Sequence, residues 1–585
     1  MRKNGTVAGE ARTSGLWGSR RGGGRGGEGR SGSVRRGLLV LLALALAAPL
    51  AASAKDRRQP TAGSYLAPSL QRAATQTPNA TVDVIVQSHD GAPQAQGVLN
   101  RFGDASVRLG IVDAAAGEIV AGDLPELAAT PGLVITPDHR VVLDAKPSKP
   151  KGPPPGQGFD SADLWPASVA VDQLWPLLPT AGNRKHDAPA APTIAFVDSG
   201  IDATRGDFGD RILANVDLAS LPGNSRGDGR GHGTVVAGLA AGSAAHHAGA
   251  APTAGIVSLD VMDDQGMART SDVIAAAQWI LRNHQQFDIR VANFSLHAAT
   301  PTSFRWDPLD KAVEKLWFSG VVVVAAAGNQ GRGGQQTAMA YAPGNDPFVV
   351  TVGALDLHSS TSPDRADVPQ WSAWGSTLDG FAKPELSAPG RSLVAPVPAA
   401  STLAGEKPNQ VLKGPEGTYM QLSGTSLAAP IVSGIAADLL ALRPGLTPDQ
   451  VKGALMLTAR KLRKVATHAA GVGEAYAPAA AALASPPNPN RALDRFLVPD
   501  PEDSGVAFDD VSWLDAAKAS AAWDAVSWLD GWNDAAWSLV SWSDVSWSDV
   551  SWSDVSWSDV SWSDVSWSDV SWADVDSSAY GDVGP

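Results

Sequence analysis

Residues 423–430 (SGTSLAAP) give one serine of this sequence a clear chemical setting. A turn of small residues leads into the apolar, alanine-rich run 431–442, which predicts a helix. Ser426 would then lie at a helix N-terminus, where unpaired backbone N–H groups and the positive end of the helix dipole favour developing negative charge. A serine in that place is suited to acyl transfer if a base can take its proton.

A histidine far upstream is our candidate for that base. His232 stands between Gly231 and Gly233, which leave the backbone around it uncrowded, and residues 234–241 predict a helix after it. A serine hydroxyl is a poor nucleophile near neutral pH, so it needs a general base within hydrogen-bonding reach. We therefore expect His232 to contact Ser426 in the folded chain.

A carboxylate is needed to hold the imidazole in the correct tautomer and to stabilise its protonated form. Asp198 directly follows residues 193–197, which are typical of a buried strand. Functional sites in open parallel sheets form at the carboxyl ends of strands, so Asp198 is the best candidate. Three further carboxylates are weaker candidates: Asp202, Asp207 and Asp210.

Four segments together resemble the signature blocks of subtilisin-like serine proteases. They are residues 194–202 (IAFVDSGID), 229–238 (GRGHGTVVAG), 321–329 (VVVVAAAGN) and 424–430 (GTSLAAP). Each block alone would be a weak signal. The chain order Asp, His, Ser, found together with the third block in family-like spacing, makes the resemblance specific, and it covers roughly residues 160–485.

The resemblance implies a fold, an activity and a set of site residues. The fold would be α/β, with a subtilisin-like doubly wound, mostly parallel sheet and helices on both faces. The activity would be that of a serine endopeptidase with the triad Asp198, His232 and Ser426. The side-chain amide of Asn329 and the backbone N–H of Ser426 would stabilise the oxyanion of the tetrahedral intermediate.

The resemblance also implies where a peptide substrate binds, as an extended strand against protein edges. The walls of the primary specificity pocket would come from six residues: Ser295, Leu296, Ala325, Ala326, Ala327 and Gly328. His297 stands where the family usually has glycine, so the specificity stays open. No cofactor and no metal-ligand cluster are indicated, although structural calcium is common in the family.

Composition limits the remaining functional classes. The 585 residues are 44% hydrophobic and 18% charged and contain no cysteine, which excludes disulfides, thiolate metal sites and a cysteine nucleophile. The net charge of −14 is local, because residues 501–585 hold seventeen Asp or Glu against one Lys. This distribution argues against a nucleic-acid-binding protein.

The N-terminus is typical of an exported protein. A polar, Arg-rich start is followed by an apolar run at residues 38–50 and by Ala52-Ser53-Ala54. We predict a signal peptide over residues 1–54, and hence a secreted protein, because the apolar run is shorter than the ~20 residues of a membrane span. Association with the cell surface would come from the C-terminal tail. A membrane anchor and a twin-arginine export route are the alternatives.

A small domain is predicted before the protease-like region. Residues 55–80 are predicted to be loose, and residues 81–144 alternate strand and helix patterns. That order resembles the inhibitory propeptide of subtilisin-like proteases, which would make the chain's own propeptide one of its partners. The alternative is an unrelated α+β domain. Residues 145–159 predict a Pro-rich linker.

Residues 160–485 alternate strand and helix patterns, as expected for a parallel sheet covered by helices. The clearest predicted helices are 272–284, with Ser271 as its cap, 309–318 and 447–462. The clearest predicted strands are 193–197, 289–296, 321–326 and 348–353.

The C-terminal region has a different composition. Residues 486–510 predict a linker, and residues 511–585 an acidic tail that holds twelve of the twenty tryptophans. From Ser541 the unit Ser-Trp-Ser-Asp-Val occurs six times in a row. The tail is either a small solenoid or a ligand for a cell-surface or extracellular partner, and dense exposed tryptophan favours an interaction site.

Two other functions compete with a secreted endopeptidase made as an autoinhibited precursor. A serine esterase of the α/β-hydrolase type needs Gly-x-Ser-x-Gly and the order Ser, acid, His. Ala428 occupies the last glycine position here, and Ser426 comes last, which disfavours that class. The other alternative is a surface adhesion or assembly protein that uses the Trp-rich tail and keeps the protease domain as a scaffold.

Overall fold

The computed structural model describes residues 64–143, 160–179, 191–333, 335–414, 417–463, 465–466, 468–500 and 505–519. The predicted signal peptide at 1–54, the linker at 145–159 and the Ser-Trp repeats from residue 541 lie outside the described residues. Residues 64–143 form the N-terminal domain, and the described residues from 160 to 519 form the main domain.

The N-terminal domain is a five-stranded sheet with helices. Its elements are β1 (Tyr65–Leu66), α1 (Pro68–Gln76), β2 (Thr81–Ser88), α2 (Ala92–Leu99), β3 (Gly103–Leu109), β4 (Ala114–Val120), α3 (Leu124–Ala128), β5 (Leu133–Pro137) and β6 (Arg140–Val142). The sheet order is β1-β5-β2-β4-β3, with β1 and β5 parallel and the other neighbours antiparallel.

Side-chain alternation on β2 shows why this sheet is buried on both faces. Val84 and Val86 point into the core of the N-terminal domain, beside Leu70 and Leu99 from its helices. Ile85, between them, packs into the core of the main domain. Successive residues of a strand face opposite sides, so one strand contributes to two cores.

The segment predicted as loose at 55–80 differs from the structure over its described part. Residues 64–80 contain β1 and α1. Ala67 and Leu70 are buried in the core of the N-terminal domain. The segment is mostly polar in composition, but its few apolar residues are buried by tertiary packing.

The main domain begins with α4 (Asp160–Val169). Its further strands are β7 (Ala191–Asp198), β8 (Ile212–Asp217), β9 (Ala254–Asp260), β10 (Met267–Arg269), β11 (Ile289–Phe294), β12 (His297–Ala298), β13 (Val322–Ala326), β14 (Val350–Leu355), β15 (Gly375–Ser376), β16 (Ala382–Lys383), β17 (Leu386–Pro389), β18 (Leu393–Pro396), β19 (Val411–Gly414), β20 (Gly417–Leu422), β21 (Leu497–Pro499) and β22 (Val506–Phe508).

Nine further helices are found among the described residues of the main domain. They are α5 (His232–Ala241), α6 (Thr270–Asn283), α7 (Pro308–Phe318), α8 (Thr402–Glu406), α9 (Thr425–Leu442), α10 (Pro448–Leu457), α11 (Ala477–Ala482), α12 (Arg491–Asp494) and α13 (Asp510–Ala519). The predicted helices at 272–284, 309–318 and 447–462 correspond to α6, α7 and α10.

A seven-stranded parallel sheet is the framework of the main domain. Its order is β17-β14-β13-β11-β7-β9-β8, and every neighbouring pair is parallel. Residues of β7, β9, β13 and β14 are buried throughout, as expected for strands covered on both faces. The predicted doubly wound α/β fold is confirmed.

The strand order reverses beside β7, because the chain next builds β8 and β9 on one side of it and β11, β13, β14 and β17 on the other. Ligands of open α/β sheets bind at the carboxyl ends of the strands where the order reverses. The helices pack in two groups, α5 with α9 and α6 with α7.

Helix α9 is predominantly apolar and is buried from Thr425 to Ala441, Asp438 included. It is long and apolar enough to cross a membrane, but 94% of its apolar window is buried inside the described protein. A helix that is hydrophobic on all sides belongs in a core when other elements surround it. It contacts β7, β11, β13, β14 and β17, so we treat it as the core helix of the sheet.

The segment predicted as a linker at 486–510 also differs from the structure. It contains α12 and the antiparallel hairpin of β21 and β22, and α13 follows. Phe496, Phe508 and Trp513 are buried in the core of the main domain. Their burial orders the chain despite its Pro-rich start.

The predicted cap of α6 is corrected by the structure. α6 begins at Thr270, so Ser271 lies inside the first turn. Its backbone N–H and hydroxyl donate to Asp138 of the N-terminal domain, at 2.8 and 2.6 Å. Burial raises the pKa of Asp138 to about 6. A carboxylate from another domain thus binds the first turn of α6 beside the local contact of Asp272 with the Arg269 N–H (3.4 Å), and the local sequence does not reveal it.

Candidate active site

Ser426 is the second residue of α9 and is only 3% exposed. Its carbonyl oxygen accepts a hydrogen bond from the Ser295 hydroxyl (2.8 Å), which itself accepts from the side-chain amide of Asn293 (2.9 Å). The Ser433 hydroxyl, two turns along α9, donates to Asn293 (2.9 Å). This chain of hydrogen bonds ties the first turn of α9 to the end of β11.

His232 is the first residue of α5, and the glycines on either side of it are required by the geometry. Gly231 has φ +93°, and a Cβ there would lie 2.4 Å from the Ser401 hydroxyl oxygen. A Cβ on Gly233 would lie 2.1 Å from the carbonyl oxygen of Gly200. Larger residues would displace the loop and the imidazole with it.

Asp198 is the last residue of β7 and is 1% exposed. Its Oδ1 accepts a hydrogen bond from the backbone N–H of Ser199 (2.8 Å). The carboxylate therefore has a fixed direction at the carboxyl end of the strand beside which the sheet order reverses.

The structure brings these three side chains together although they are distant in sequence. His232 Nδ1 lies 2.8 Å from Asp198 Oδ1, and His232 Nε2 lies 3.2 Å from Ser426 Oγ. Both distances are within hydrogen-bonding reach. The imidazole is 8% exposed, so solvent touches the arrangement only at its edge. The geometry is that of a nucleophile, a base and an orienting carboxylate.

The weaker carboxylate candidates have other partners. Asp207 forms an ion pair with Arg205 (2.8 Å) and accepts from the Tyr419 hydroxyl (2.8 Å). Asp202 accepts from the Thr204 hydroxyl (2.6 Å). Asp210 lies in the turn before β8.

A carboxylate that the sequence analysis missed supports the histidine loop. Asp228 is buried and accepts hydrogen bonds from Gly231 N–H (2.6 Å), Thr234 N–H (2.7 Å) and the hydroxyls of Thr234 (2.5 Å) and Ser199 (2.9 Å). Burial raises its pKa to about 7, against the effect of these hydrogen bonds. These hydrogen bonds fix the backbone on both sides of His232. The available signal was its place in a Gly-rich loop four residues before the histidine.

Asn329 lies just after β13 and beside the first turn of α9. Its Oδ1 accepts the backbone N–H of Thr425 (2.9 Å). A Cβ built on Gly424 would lie 3.4 Å from Asn329 Nδ2 and 3.0 Å from Ser426 Oγ. The amide nitrogen and the hydroxyl therefore border the same small space, where the N–H groups of the first turn of α9 also lack partners within the helix.

The six residues predicted to line a substrate pocket lie at the carboxyl ends of two adjacent strands, β11 and β13. Ser295, Leu296 and Ala325 are fully buried, and Ala326 and Ala327 nearly so. Gly328 donates its N–H to the Thr425 hydroxyl (3.0 Å). They border the serine, but their contact with substrate stays a prediction.

Strand β6 of the N-terminal domain lies between two strands of the main domain. It pairs antiparallel with β10 on one side and with β12 on the other. Val141 stands opposite Ala268 and Ala298, and it is 0% exposed. An extended segment thus fills a slot whose walls are the backbones of β10 and β12.

The end of β6 points toward the histidine loop. Leu143 donates its N–H to the Gly266 carbonyl (3.3 Å). A Cβ built on Gly266 would lie 2.8 Å from Leu143 Cδ1 and 3.3 Å from Arg230 Nε, and Arg230 is two residues before His232. β12 begins at His297, two residues after β11 ends at Phe294, so this wall of the slot directly follows Ser295 and Leu296.

His297, which replaces the usual glycine, belongs to this slot. It is half-buried in β12 and stands opposite Val142. Its ring centroid lies 5.4 Å from that of Tyr341, and its Nδ1 lies 2.8 Å from the Ala298 carbonyl oxygen. The imidazole of His297 is therefore held in place by Tyr341 and Ala298.

Among the described residues, one group has three candidate metal-ligand atoms close together. These atoms belong to Asp356, His358 and Asp367 and lie within 4.8 Å of one another. Arg391 already lies 2.9 Å from Asp356 Oδ2, and His358 Nε2 lies 2.8 Å from Asp367. The group does not fit calcium, which takes six to eight oxygen ligands.

Comparison with known proteins identifies relatives of this chain. The model of the subtilase family matches residues 190–473, which contain Asp198, His232, Asn329 and Ser426. Subtilisin DY of Bacillus licheniformis is 32% identical over 271 residues, which are 46% of this chain and 84% of that protein. Serine protease AprX of Bacillus subtilis (strain 168) is 34% identical over 269 residues, or 44% and 59% of the two chains.

A third relative, the extracellular serine proteinase of Thermus sp. (strain Rt41A), is 34% identical over 294 residues, or 50% and 61% of the two chains. The chain spans 59–60% of the length of the first relatives that it matches. The crystal structure of fervidolysin from Fervidobacterium pennivorans has a TM-score of 0.52 at 23% identity, and covers 70% of this chain and 62% of that one. This likeness supports the fold.

Proposed function

This chain belongs to the subtilase family, and on that premise we propose that it is a secreted serine endopeptidase made as an autoinhibited precursor. Its substrates would be proteins or peptides bound as extended strands. The observation that carries the proposal is the imidazole of His232, hydrogen-bonded through one nitrogen toward Asp198 and through the other toward Ser426.

The reaction follows from these contacts. His232 Nε2 takes the Ser426 proton as the hydroxyl oxygen attacks the scissile carbonyl carbon, and the imidazolium then gives that proton to the leaving amine. The acyl group stays on Ser426 until a water molecule, deprotonated by the same imidazole, releases the acid. Asp198 remains ionised and stabilises the imidazolium.

The oxyanion of each tetrahedral intermediate needs donors that are already in place. The Oδ1 atom of Asn329 accepts the Thr425 N–H, and its Nδ2 borders the same space as Gly424 and the Ser426 hydroxyl. We propose that Nδ2 and the Ser426 backbone N–H donate to the oxyanion. The reaction uses only side chains, backbone and water, so we expect no cofactor.

β6 supports the autoinhibited precursor. Its antiparallel pairing with both β10 and β12 occupies the backbone groups that an extended substrate would use. The N-terminal domain adds contacts outside the slot, among them Asp138 with Ser271. Substrate entry then requires that β6 leave, which cleavage in the predicted linker at 145–159 would promote.

Export is proposed from the sequence pattern of residues 1–54, and a relative whose name describes it as extracellular gives further support. The Trp-rich tail as a ligand for a cell-surface or extracellular partner stays a prediction.

Peptide hydrolysis by the Ser426→Ala protein tests the activity. We expect turnover to fall about 10⁶-fold, because the nucleophile is lost. The matched control is Ser359→Ala, an exposed serine, which should leave turnover unchanged. Normal turnover in Ser426→Ala would reject the proposed nucleophile.

A second experiment tests the precursor separately. Val141→Asp places a carboxylate at a fully buried position of β6, so we expect the uncleaved chain to hydrolyse peptides at least tenfold faster. Val120→Asp is the control, because Val120 is 42% exposed in the same domain. Equal activity of the two variants would show that β6 does not block the cleft. That result would not count against the proposed catalytic triad.

A further inference from the structure

Helix α13 begins with six residues, Asp510–Asp515 (DVSWLD), that are docked on the main domain. Trp513 is 2% exposed. Its ring stacks on Phe381 (5.5 Å, 21°) and meets the edge of Phe304 (5.5 Å, 76°), and Phe508 closes the group at 6.3 Å. We call the site formed by Phe304, Phe381 and Phe508 the aromatic pocket.

Polar contacts fix the orientation of the docked segment. Asp510 Oδ2 lies 3.2 Å from Arg305 Nε. Asp509 caps the helix, because its carboxylate accepts the Ser512 backbone N–H (3.0 Å) and the Ser512 hydroxyl (2.6 Å). Lys311 lies 5.1 Å above the Phe304 ring, so two cations border the pocket.

The docked sequence is repeated in the tail. Asp-Val-Ser-Trp-Xaa-Asp recurs six times, at residues 544–549, 549–554, 554–559, 559–564, 564–569 and 569–574. Each copy is preceded by serine, which caps helices as well as aspartate does. The copies keep the cap, both carboxylates and the tryptophan. They differ at the half-buried Leu514, which becomes serine or alanine.

We propose that these repeats bind the aromatic pocket of a second copy of this chain, in place of that copy's own residues 510–515. The described residues of each chain form one such pocket, and the sequence contains seven segments that match its ligand. Exchange of an identical element between copies keeps the same contacts, so it costs little. The acidic repeats also complement Arg305 and Lys311 at the pocket.

The chain's own segment has two advantages over a repeat. It is tethered beside the pocket, which gives it a high effective concentration, and Leu514 adds apolar contact. One repeat alone should therefore exchange weakly. Six repeats on one tail raise the avidity, so association depends on concentration and strengthens when the tethered segment is weakened.

Sedimentation velocity of the full chain tests this, in a Ser426→Ala background that prevents self-digestion. We expect concentration-dependent oligomers, which a peptide Ser-Asp-Val-Ser-Trp-Ser-Asp in excess dissociates. The same peptide with alanine for tryptophan should have no effect. Replacement of the six repeat tryptophans (residues 547, 552, 557, 562, 567 and 572) by alanine should give monomers.

Two variants of the tethered segment sharpen the test. Trp513→Ala vacates the pocket and should lower the dissociation constant for self-association at least tenfold. Leu514→Ser converts the tethered segment into a repeat, keeps the tryptophan for folding, and should lower that constant a few-fold. Monomers in all of these proteins, or oligomers that the peptide does not dissociate, would overturn the proposal.

Discussion

Two segments pack against the sheet-bearing part of the main domain, β6 at the end of the N-terminal domain and α13 at the end of the described chain, and different interactions hold them. β6 is held mainly by backbone hydrogen bonds to β10 and β12. The start of α13 is held by the rings around Trp513 and by the Asp510–Arg305 ion pair. One site recognises the direction of an extended backbone, and the other recognises particular side chains.

This difference fits two kinds of ligand. Main-chain pairing accepts many sequences, so the β6 slot would suit the varied peptides of the proposed endopeptidase. Ring stacking requires an aromatic side chain in a defined orientation, so the aromatic pocket should bind one particular sequence motif. The recurrence of that motif in the tail is what such a requirement predicts.

Among the variants that compare these two segments, the largest expected effect is at the aromatic pocket. Trp513→Ala should lower the free energy of unfolding by about 3–5 kcal/mol, because a buried tryptophan leaves a cavity among phenylalanines. Chemical denaturation measures it. Leu177→Ala, at a 64% exposed leucine, should change the same quantity by less than about 0.5 kcal/mol. A loss below about 1 kcal/mol for Trp513→Ala would contradict side-chain recognition.

A somewhat smaller effect is expected for Asn329, a side chain beside the proposed nucleophile Ser426. Asn329→Ala should lower kcat about 10²–10³-fold, because a donor to the oxyanion is lost, and should leave KM nearly unchanged. Steady-state peptide hydrolysis gives both constants. A change in KM with kcat intact would make Asn329 a ground-state binding residue instead.

The smallest effect is expected for a side-chain contact of the N-terminal domain. Arg269 lies 2.7 Å from Asp83, and both side chains are partly exposed. Arg269→Met should therefore change the inhibition of the uncleaved chain by less than about 1 kcal/mol, and only at low salt. Peptide hydrolysis at two salt concentrations measures it, with the exposed Arg72→Met as control. A large, salt-independent release of activity would show that side chains dominate this docking as well.

The parts of the site that the sequence predicted have local causes. Ser426, His232 and Asn329 each stand beside a glycine or a helix start, and Asp198 ends an apolar strand. Such patterns fix backbone geometry within a few residues, so they can be recognised without a structure.

The parts that the sequence did not predict depend on distant contacts. Asp228 gains its role only because Ser199 and Thr234 fold around it. Asp138, from another domain, accepts the hydrogen bonds of Ser271, the residue that was expected to cap α6. Phe508 and Trp513 order a segment that looked like a linker, because Phe304 and Phe381 come from elsewhere in the chain.

Labelling by a fluorophosphonate probe tests the central claim most directly, because the probe reacts with a serine only when its hydroxyl is activated. Peptide mapping of the labelled full chain should place the adduct on Ser426. The labelling rate should fall by about 10⁴-fold or more in His232→Ala. It should not change in His246→Ala, whose imidazole is exposed and far from these contacts in sequence. An adduct on another serine, or equal labelling of His232→Ala, would contradict the account.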